Sequence, residues 1–494
     1  MSIKQFIYVD VNGDYIEGYA DGNAIERSCD SGLAVGDLVC ESSSIANGVD
    51  KISNNSDVRS VIGWVISKPD ATTANILTKG VISGLSGLTK TGKVYLSTSG
   101  DFGSAMPSDG YLQILGHAID ADTIDFDPVN TKIKLFKPGF EFPLSYTSMT
   151  PASNTSYFGV TLDMDENTLV IGTKAGKFYV FAYDESSETW IQEAEISDPD
   201  GNDIYFGRYV KISGDTIITS SHRYDANNYT DNGRAYIYTR SGTTWTLNIT
   251  IDGPNQDNSH FGIGLEIVGN IIVISAPEES INKDMGNGVI RIYEYNGTNV
   301  TLKQTINGNN AEHIGYNGIY IDGNRMIVSA GNYYDAWLYE YNGTSWVLSE
   351  TFTGNEHFGH SVGISGDKII IGAYTYDDGN IKPGAFYVYT YDGSNWNNSG
   401  PIMASDKVDG SYFGFAVSIY EDYVVIGAKY NDINGNSNVG KAYIYKFDGT
   451  NWIEKQIIEG IGTNDSLGCA VCVNDIHVII GVYGEQEVRG YTNS

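Results

Sequence analysis

Positive charge is scarce in this chain of 494 residues. Lys and Arg together number 30 against 61 Asp and Glu, which gives a formal net charge of −31. Because so acidic a surface repels nucleic-acid phosphates, we expect no DNA or RNA partner. The same charge keeps a large particle soluble, above all in a cation-rich medium that screens self-repulsion.

Cysteine is scarce as well, with two residues near each end of the chain. The spacing of Cys469 and Cys472 also occurs in redox and zinc motifs, but on a strand residues i and i+3 point to opposite faces. We therefore expect packed free thiols. Pairing of Cys29 with Cys40 stays open as an alternative, because hairpin-related strands bring such residues together.

Long apolar runs and catalytic signatures are absent from the sequence. No run reaches the roughly 18 apolar residues of a transmembrane helix, and the start MSIKQFIYVDVNGDY has no signal-peptide pattern. We expect a protein made soluble in a cytoplasm. No nucleophile elbow, phosphate loop or HExxH motif occurs, so no enzymatic activity is expected. His260, His313 and His357 each precede a repeat marker, which favours a structural role in a turn.

The 58 glycines and 36 tyrosines favour short strands joined by turns, and an internal repeat organises them. Each unit has a marker pair, two apolar strands around a tight turn, an aromatic strand and a strand that usually opens with Trp. Four short strands in about 43 to 55 residues make one propeller blade. The seven markers are Phe158-Gly159, Phe206-Gly207, Phe261-Gly262, Ile314-Gly315, Phe358-Gly359, Phe413-Gly414 and Leu467-Gly468.

The fold class predicted from this repeat is all-β: a seven-bladed β-propeller over residues 138–494, preceded by a small β-sandwich or β-barrel-like domain. The seventh unit ends before its outer strand. We expect residues 141–148 to pair onto the last blade, because this closes the ring and removes exposed sheet edges.

The markers, the Gly-Asp turns and endings such as Ile272-Val-Ile-Ser-Ala-Pro277 resemble the FG-GAP repeats of integrin α-chain propellers and their microbial relatives. That resemblance implies the propeller fold. Relatives often hold calcium in a D-x-D-x-D-G loop, and only Asp163, Asp165 and Asn167 approach this pattern. The other turns are too short to encircle the cation. Calcium is therefore considered at the first blade only, and no other cofactor or metal is expected.

Residues 1–137 lack the repeat and contain apolar runs broken by Gly, Ser, Asn and Asp. Five of their segments resemble small β-modules of bacteriophage fibre and capsid-decoration proteins: 35–39, 62–65, 80–89, 92–97 and 113–118. The resemblance implies an attachment or oligomerisation module that contacts other virion proteins, and it implies a homotrimer.

One face of the predicted propeller has long, varied loops, which join strands 2 to 3 and 4 to 1, whereas the loops of the other face are short and uniform. Variable loops on a rigid scaffold are where recognition usually lies, and tyrosine with acidic or amide groups suits sugars and protein surfaces. The alternative is that these are ordinary solvated loops. The candidate binding residues are Tyr224, Tyr229, Tyr333, Tyr334, Tyr374, Tyr376, Asp377, Asp378, Tyr430 and Asp432.

Three functions are compatible with this organisation. The first is a virion structural protein, a capsid or tail fibre, located in the virion and presenting the propeller to a glycan or protein of the host surface. The second is a secreted or surface adhesin of a cell, which the missing secretion signal disfavours. The third is a propeller enzyme that degrades polysaccharide.

Overall fold

The computed structural model describes residues 146–492, except 152–154, 202, 281–286, 309–312, 317, 331–333 and 485. Within residues 1–145 it describes backbone strands and no side chains. These strands are β1 (Lys4–Val9), β2 (Tyr15–Ala20), β3 (Ala24–Cys29), β4 (Leu38–Glu41), β5 (Gly48–Lys51), β6 (Val61–Ser67), β7 (Thr73–Leu77), β8 (Gly80–Ile82), β9 (Lys93–Leu96), β10 (Phe102–Gly103), β11 (Leu112–Asp120), β12 (Thr123–Phe126) and β13 (Ile133–Lys134). The Cys29–Cys40 alternative and the predicted N-terminal domain lie outside the described side chains and stay predictions.

The next strand along the chain is β14 (Thr147–Met149), followed by strands in sets of four. Blades 1 to 3 contain β15 (Thr161–Asp165), β16 (Thr168–Gly172), β17 (Lys177–Asp184), β18 (Thr189–Ser197); β19 (Val210–Ser213), β20 (Thr216–Ser221), β21 (Arg234–Ser241), β22 (Thr244–Asp252); and β23 (Leu265–Val268), β24 (Ile271–Ala276), β25 (Val289–Tyr295), β26 (Val300–Asn307). Each set forms an antiparallel sheet in sequence order.

Blades 4 to 6 repeat this arrangement, and blade 7 has three consecutive strands of its own. Their strands are β27 (Ile319–Asp322), β28 (Arg325–Ala330), β29 (Asp335–Tyr341), β30 (Trp346–Thr353); β31 (Phe358–Ser365), β32 (Lys368–Ala373), β33 (Ala385–Tyr391), β34 (Trp396–Asn398); β35 (Ala416–Tyr420), β36 (Tyr423–Ala428), β37 (Lys441–Phe447), β38 (Trp452–Glu459); and β39 (Leu467–Val473), β40 (His477–Val482), β41 (Glu487–Thr492). No helix among the described residues has the length and apolarity needed to cross a membrane.

The apolar core lies between consecutive blades, because both faces of each second and third strand are buried. Hydrophobic clusters join blade 1 to 2, 2 to 3, 3 to 4, 4 to 5, 5 to 6 and 7 to 1. Each innermost strand contacts the innermost strand of the next blade, and β39 contacts β15. The ring therefore closes, and the prediction of an all-β seven-bladed propeller is confirmed.

Both residues of the marker pair contribute to the packing of adjacent blades. Phe413 is fully buried and contacts Phe386 of blade 5 and Tyr443 of blade 6, with ring centroids 5.8 and 5.0 Å apart. The glycine that follows the marker residue has a φ between 76° and 100° in all seven units. A Cβ at Gly414 would lie 2.2 Å from the carbonyl oxygen of Ala385, so glycine allows adjacent blades to approach each other.

Strand β14 lies on the outer edge of blade 7, in the sheet order β14-β41-β40-β39. Thr147 is opposite Gly490, and Met149 is opposite Val488. The predicted edge strand began at residue 141, and residues 141–145 lie outside the described part. Met149 is 1% exposed and packs in the cluster that joins blades 7 and 1. A segment from the beginning of the propeller thus supplies the fourth strand of its last blade.

The substitution Met149→Ala tests the contribution of this strand. It removes a buried side chain at the junction of blades 7 and 1, so we expect the free energy of unfolding to fall by about 2–3 kcal/mol. Chemical denaturation of the full chain measures the change. Ser148→Ala is the control, because Ser148 is exposed in the same strand. Equal stability of the two variants would contradict a stabilising role for β14.

Candidate binding site at the axial mouth

Two kinds of position meet at one end of the propeller axis, around the entrance that we call the mouth. One is the residue directly after the second strand of each blade, and the other is the residue on either side of the marker pair. Tyr374 follows β32 and Lys429 follows β36, whereas Tyr412 precedes and Phe415 follows the marker of blade 6. Since second strands end and first strands begin on the same face, these side chains lie among the long, variable loops.

Blades 5 and 6 contribute a continuous aromatic group to the mouth, which we call the mouth cluster: His357, His360, Tyr374, Tyr412, Phe415, Lys429 and Tyr430. The Tyr374 ring lies 4.6 Å from His357, 4.6 Å from His360 and 4.7 Å from Tyr412 between centroids. Tyr430 extends the group at 4.9 Å from Tyr412. Several ring edges and faces therefore form one half-buried surface.

The Lys429 ammonium completes the mouth cluster. Its Nζ lies 3.3 Å from the centroid of the Phe415 ring and 4.9 Å from that of Tyr430, so the cation is held over aromatic faces. Burial, together with repulsion from Lys174, lowers the pKa of Lys429 to about 8. Burial also lowers the pKa of His360 to about 3, with a smaller contribution from Lys429, so this imidazole is neutral at pH 7.

Blades 2 and 3 contribute a second group of rings and cations to the same mouth. His222 is 3% exposed and lies 5.0 Å from Tyr205 and 6.0 Å from His260 between ring centroids. Burial and, to a smaller extent, the charge of Arg208 lower the pKa of His222 to about 3. The Nδ1 atom of His260 lies 2.9 Å from Glu278. Most imidazoles in the described residues therefore surround the entrance to the axis.

The structure brings together some of the predicted binding residues. Tyr374 and Tyr430 belong to the mouth cluster, and Tyr334, which is 46% exposed, lies 6.3 Å from His357 between ring centroids. Tyr376 instead packs beside the core between blades 4 and 5, with its ring 6.4 Å from Tyr387. Tyr333 lies outside the described residues.

The other predicted residues stabilise their own loops. The guanidinium of Arg234 lies 4.0 Å from the Tyr224 ring centroid, and the backbone N–H of Tyr229 donates to Ala226. The three aspartates each accept a hydrogen bond from a backbone N–H in the same loop. The donors are Gly379 for Asp377, Asn380 and Ile381 for Asp378, and Asn438 for Asp432.

Residues absent from the predicted set include Phe415, Lys429 and the marker-adjacent His357 and Tyr412. The sequence predicts a structural role in a turn for His260, His313 and His357. Their φ values of 49°, 44° and 61° place the backbone of this turn in the left-handed region. The rings of His260 and His357 also belong to the mouth. Their regular position before the marker is the signal in the sequence, and it indicates the backbone turn without indicating where the rings lie.

The candidate calcium ligands of blade 1 contact protein groups instead. An Asp163 carboxylate oxygen accepts from the backbone N–H of Ile212 at 2.8 Å, and Asp165 accepts from that of Gly214 at 2.6 Å. The Asn167 amide donates to Glu185. These aspartates connect blade 1 to blade 2. Within the described ranges, no three His, Cys, Asp or Glu side chains are placed to hold a metal ion.

An ionic group fills the propeller axis below the mouth; we call Asp163, Lys211, Glu266 and Tyr320 the axial cluster. These residues occupy equivalent positions on the innermost strands of blades 1 to 4. The Lys211 ammonium lies 3.3 Å from Asp163, 3.0 Å from Glu266 and 3.9 Å from the Tyr320 ring centroid. Burial raises the pKa of both carboxyls, although the charge of Lys211 opposes this shift.

The architecture and its repeats define the class of this protein as a seven-bladed β-propeller. Three segments, residues 190–238, 352–389 and 396–445, match the FG-GAP repeat, so the propeller contains FG-GAP repeats. No curated protein matches the chain at a significant level.

The solved structures that match the chain include the computationally designed Ika8 protein, at 12% identity and a TM-score of 0.43, covering 69% of this chain and 98% of that one. A chain of the mitotic checkpoint complex is similar at 13% identity and a TM-score of 0.48, covering 74% of this chain and 99% of its own.

Proposed function

We propose that this protein is a virion structural protein, a capsid or tail fibre, whose propeller binds a glycan or protein of the host surface through the mouth. The observation that carries the proposal is the mouth cluster. It places connected aromatic rings and a half-buried ammonium among the variable loops of a rigid ring. Such rings provide large contact area at low entropic cost, as recognition surfaces require.

Binding without catalysis fits the chemistry of this face. Asp377 and Asp378 accept hydrogen bonds from backbone N–H groups of their own loop, which fixes both side chains within that loop. Burial keeps His222 and His360 neutral at pH 7, and the sequence contains no nucleophile elbow or HExxH motif. The proposal therefore assigns recognition to the mouth and no enzymatic step.

The remaining parts of the proposal concern assembly. Residues 1–137 attach the protein to other virion proteins and form a homotrimer. The resemblance of residues 35–118 to phage fibre and decoration modules supports this assignment. The net charge of −31 supports a particle-surface location and disfavours nucleic acid as a partner.

The substitutions Tyr374→Ala and Tyr430→Ala test the recognition proposal. Each removes a ring of the mouth cluster, so we expect the affinity of the full-length protein for host envelope to fall about tenfold. Binding of labelled protein to host cells and to a glycan array measures the effect.

Tyr341→Ala is the matched control, because Tyr341 is also exposed but ends the third strand of blade 4, on the opposite face. The control should bind as the wild type does. Unchanged binding by both mouth variants would remove the mouth from the proposal, and release of reducing sugar from envelope polysaccharide would favour an enzyme.

A further inference from the structure

Three cations surround the mouth at blades 1, 2 and 6, and the described residues provide no acidic partner for them. Lys174 follows β16, Arg208 follows the marker of blade 2, and Lys429 follows β36. Within the described part of the chain, no carboxylate lies within 4.0 Å of any of the three, whereas most other basic side chains there have such a partner. This contrast occurs in a chain with twice as many acidic as basic residues.

The three charges are close enough to repel each other. Burial and then the charge of Arg208 lower the pKa of Lys174, and the charge of Lys174 adds to the effect of burial on Lys429. The Nε of Arg208 is buried, and no described group accepts a hydrogen bond from it. Cys469 lies beside Lys429, but burial raises the pKa of its thiol to about 11, so it is neutral at pH 7. An anion at the mouth would relieve this repulsion.

Aromatic rings accompany all three cations. The Lys174 ammonium lies 4.5 Å from the centroid of Tyr157, a ring that is 43% exposed and lies 5.3 Å from Tyr483. Lys429 lies over Phe415 and Tyr430. Tyrosine faces contact the C–H surface of a sugar ring, and ammonium or guanidinium groups bind a carboxylate. A surface with both rings and cations therefore fits a negatively charged saccharide better than a simple anion, which has no sugar ring to contact the tyrosines.

We propose that the mouth binds a carboxylated saccharide, with Lys174, Arg208 and Lys429 as its anion-binding groups and Tyr157, Tyr430 and Tyr483 as its stacking surface. This inference rests on the proposed recognition function and names the chemical class of the receptor. The sugar carboxylate lies between the cations of blades 1, 2 and 6, and the rings contact the adjoining sugar faces.

A glycan array of matched pairs tests this inference with the full-length protein. Each carboxylated saccharide, whether a hexuronate or a nonulosonate, is placed beside its neutral methyl ester, and polyglutamate provides the same charge without a sugar. We expect the acid forms to bind at least about tenfold more tightly than their esters and than polyglutamate. Lys429→Gln and Arg208→Gln should each weaken binding of the acid forms about tenfold more than binding of the esters.

Lys407→Gln is the control for charge, because Lys407 lies in a loop of the same face but forms an ion pair with Asp378 at 3.1 Å. It should bind as the wild type does. Equal binding of acids and esters, or equal binding of polyglutamate, would overturn the carboxylated-saccharide inference while recognition through Tyr374 and Tyr430 stands. Absence of binding to every saccharide and to host envelope would overturn both. If Lys429→Gln, Arg208→Gln and Lys407→Gln weakened binding equally, the effect would come from the general loss of positive charge, and the proposed site would be wrong.

Discussion

The substitution Lys211→Met should lower the free energy of unfolding by about 3–5 kcal/mol at pH 7, since removing one member of a buried ion pair leaves its partners uncompensated. Methionine keeps the length of the lysine side chain but removes its charge. The Asp163 and Glu266 side chains then face each other at the axis with exposures of only 17% and 7%. Chemical denaturation of the full chain at fixed ionic strength measures the change.

The loss should depend on pH in a defined direction. Burial already raises the pKa of both carboxyls above the unfolded value of about 4, and removal of Lys211 raises it further. The folded variant then holds protons that the unfolded chain releases, so its stability falls as pH rises from about 4 through the raised folded pKa. The difference in the free energy of unfolding between the wild type and Lys211→Met should therefore be small near pH 4 and largest above pH 7.

Two further variants separate this mechanism from a simple packing defect. The triple variant Lys211→Met, Asp163→Asn, Glu266→Gln removes all three charges while keeping side-chain shape, and it should recover most of the lost stability. Lys303→Met removes a lysine from an exposed ion pair with Glu294 and should leave the denaturation midpoint unchanged. Wild-type stability of Lys211→Met at pH 7 would show that the axial cluster contributes nothing.

The fold could be predicted from sequence because each blade is specified locally and the specification is repeated. A marker residue, a glycine and a tight turn recur in every unit, and a single unit contains all four strands of its sheet. The exception is blade 7, which has only three strands of its own. That it needs a fourth strand from elsewhere in the chain could be inferred only because the other six units each contain four. Met149 itself carries no repeat signal, and its burial follows from ring closure.

The candidate site was harder to predict, because its members come from different blades and no local pattern connects them. Tyr374 and Tyr430 stood out as tyrosines in long loops, whereas Phe415 and Lys429 are single residues beside β-strands. Their contact at 3.3 Å depends on how one second strand ends next to the first strand of the same sheet. Asp377 and Asp378 were selected by charge, but the backbone of their own loop engages both.

The substitution Phe413→Ala should cost about 3–5 kcal/mol, which is comparable to the loss of Lys211 but independent of pH. The Phe413 side chain is fully buried, and its ring lies 5.0 Å from Tyr443, 5.8 Å from Phe386 and 6.3 Å from Tyr445 between centroids. These partners belong to blades 5 and 6, so alanine opens a cavity at an interface that both sheets share. Because the ring is closed, neither blade can move to fill the cavity without disturbing the next interface.

The chain itself provides the matched control for this position. Leu467 and Ile314 replace phenylalanine at the markers of blades 7 and 4, and both are fully buried. Phe413→Leu keeps an apolar side chain of nearly sufficient volume and should cost less than about 1.5 kcal/mol. If the alanine and leucine variants lost equal stability, the marker would act through its backbone turn alone. A large difference between them, measured by the same denaturation experiment, would assign the stabilisation to the side chain that fills the space between blades.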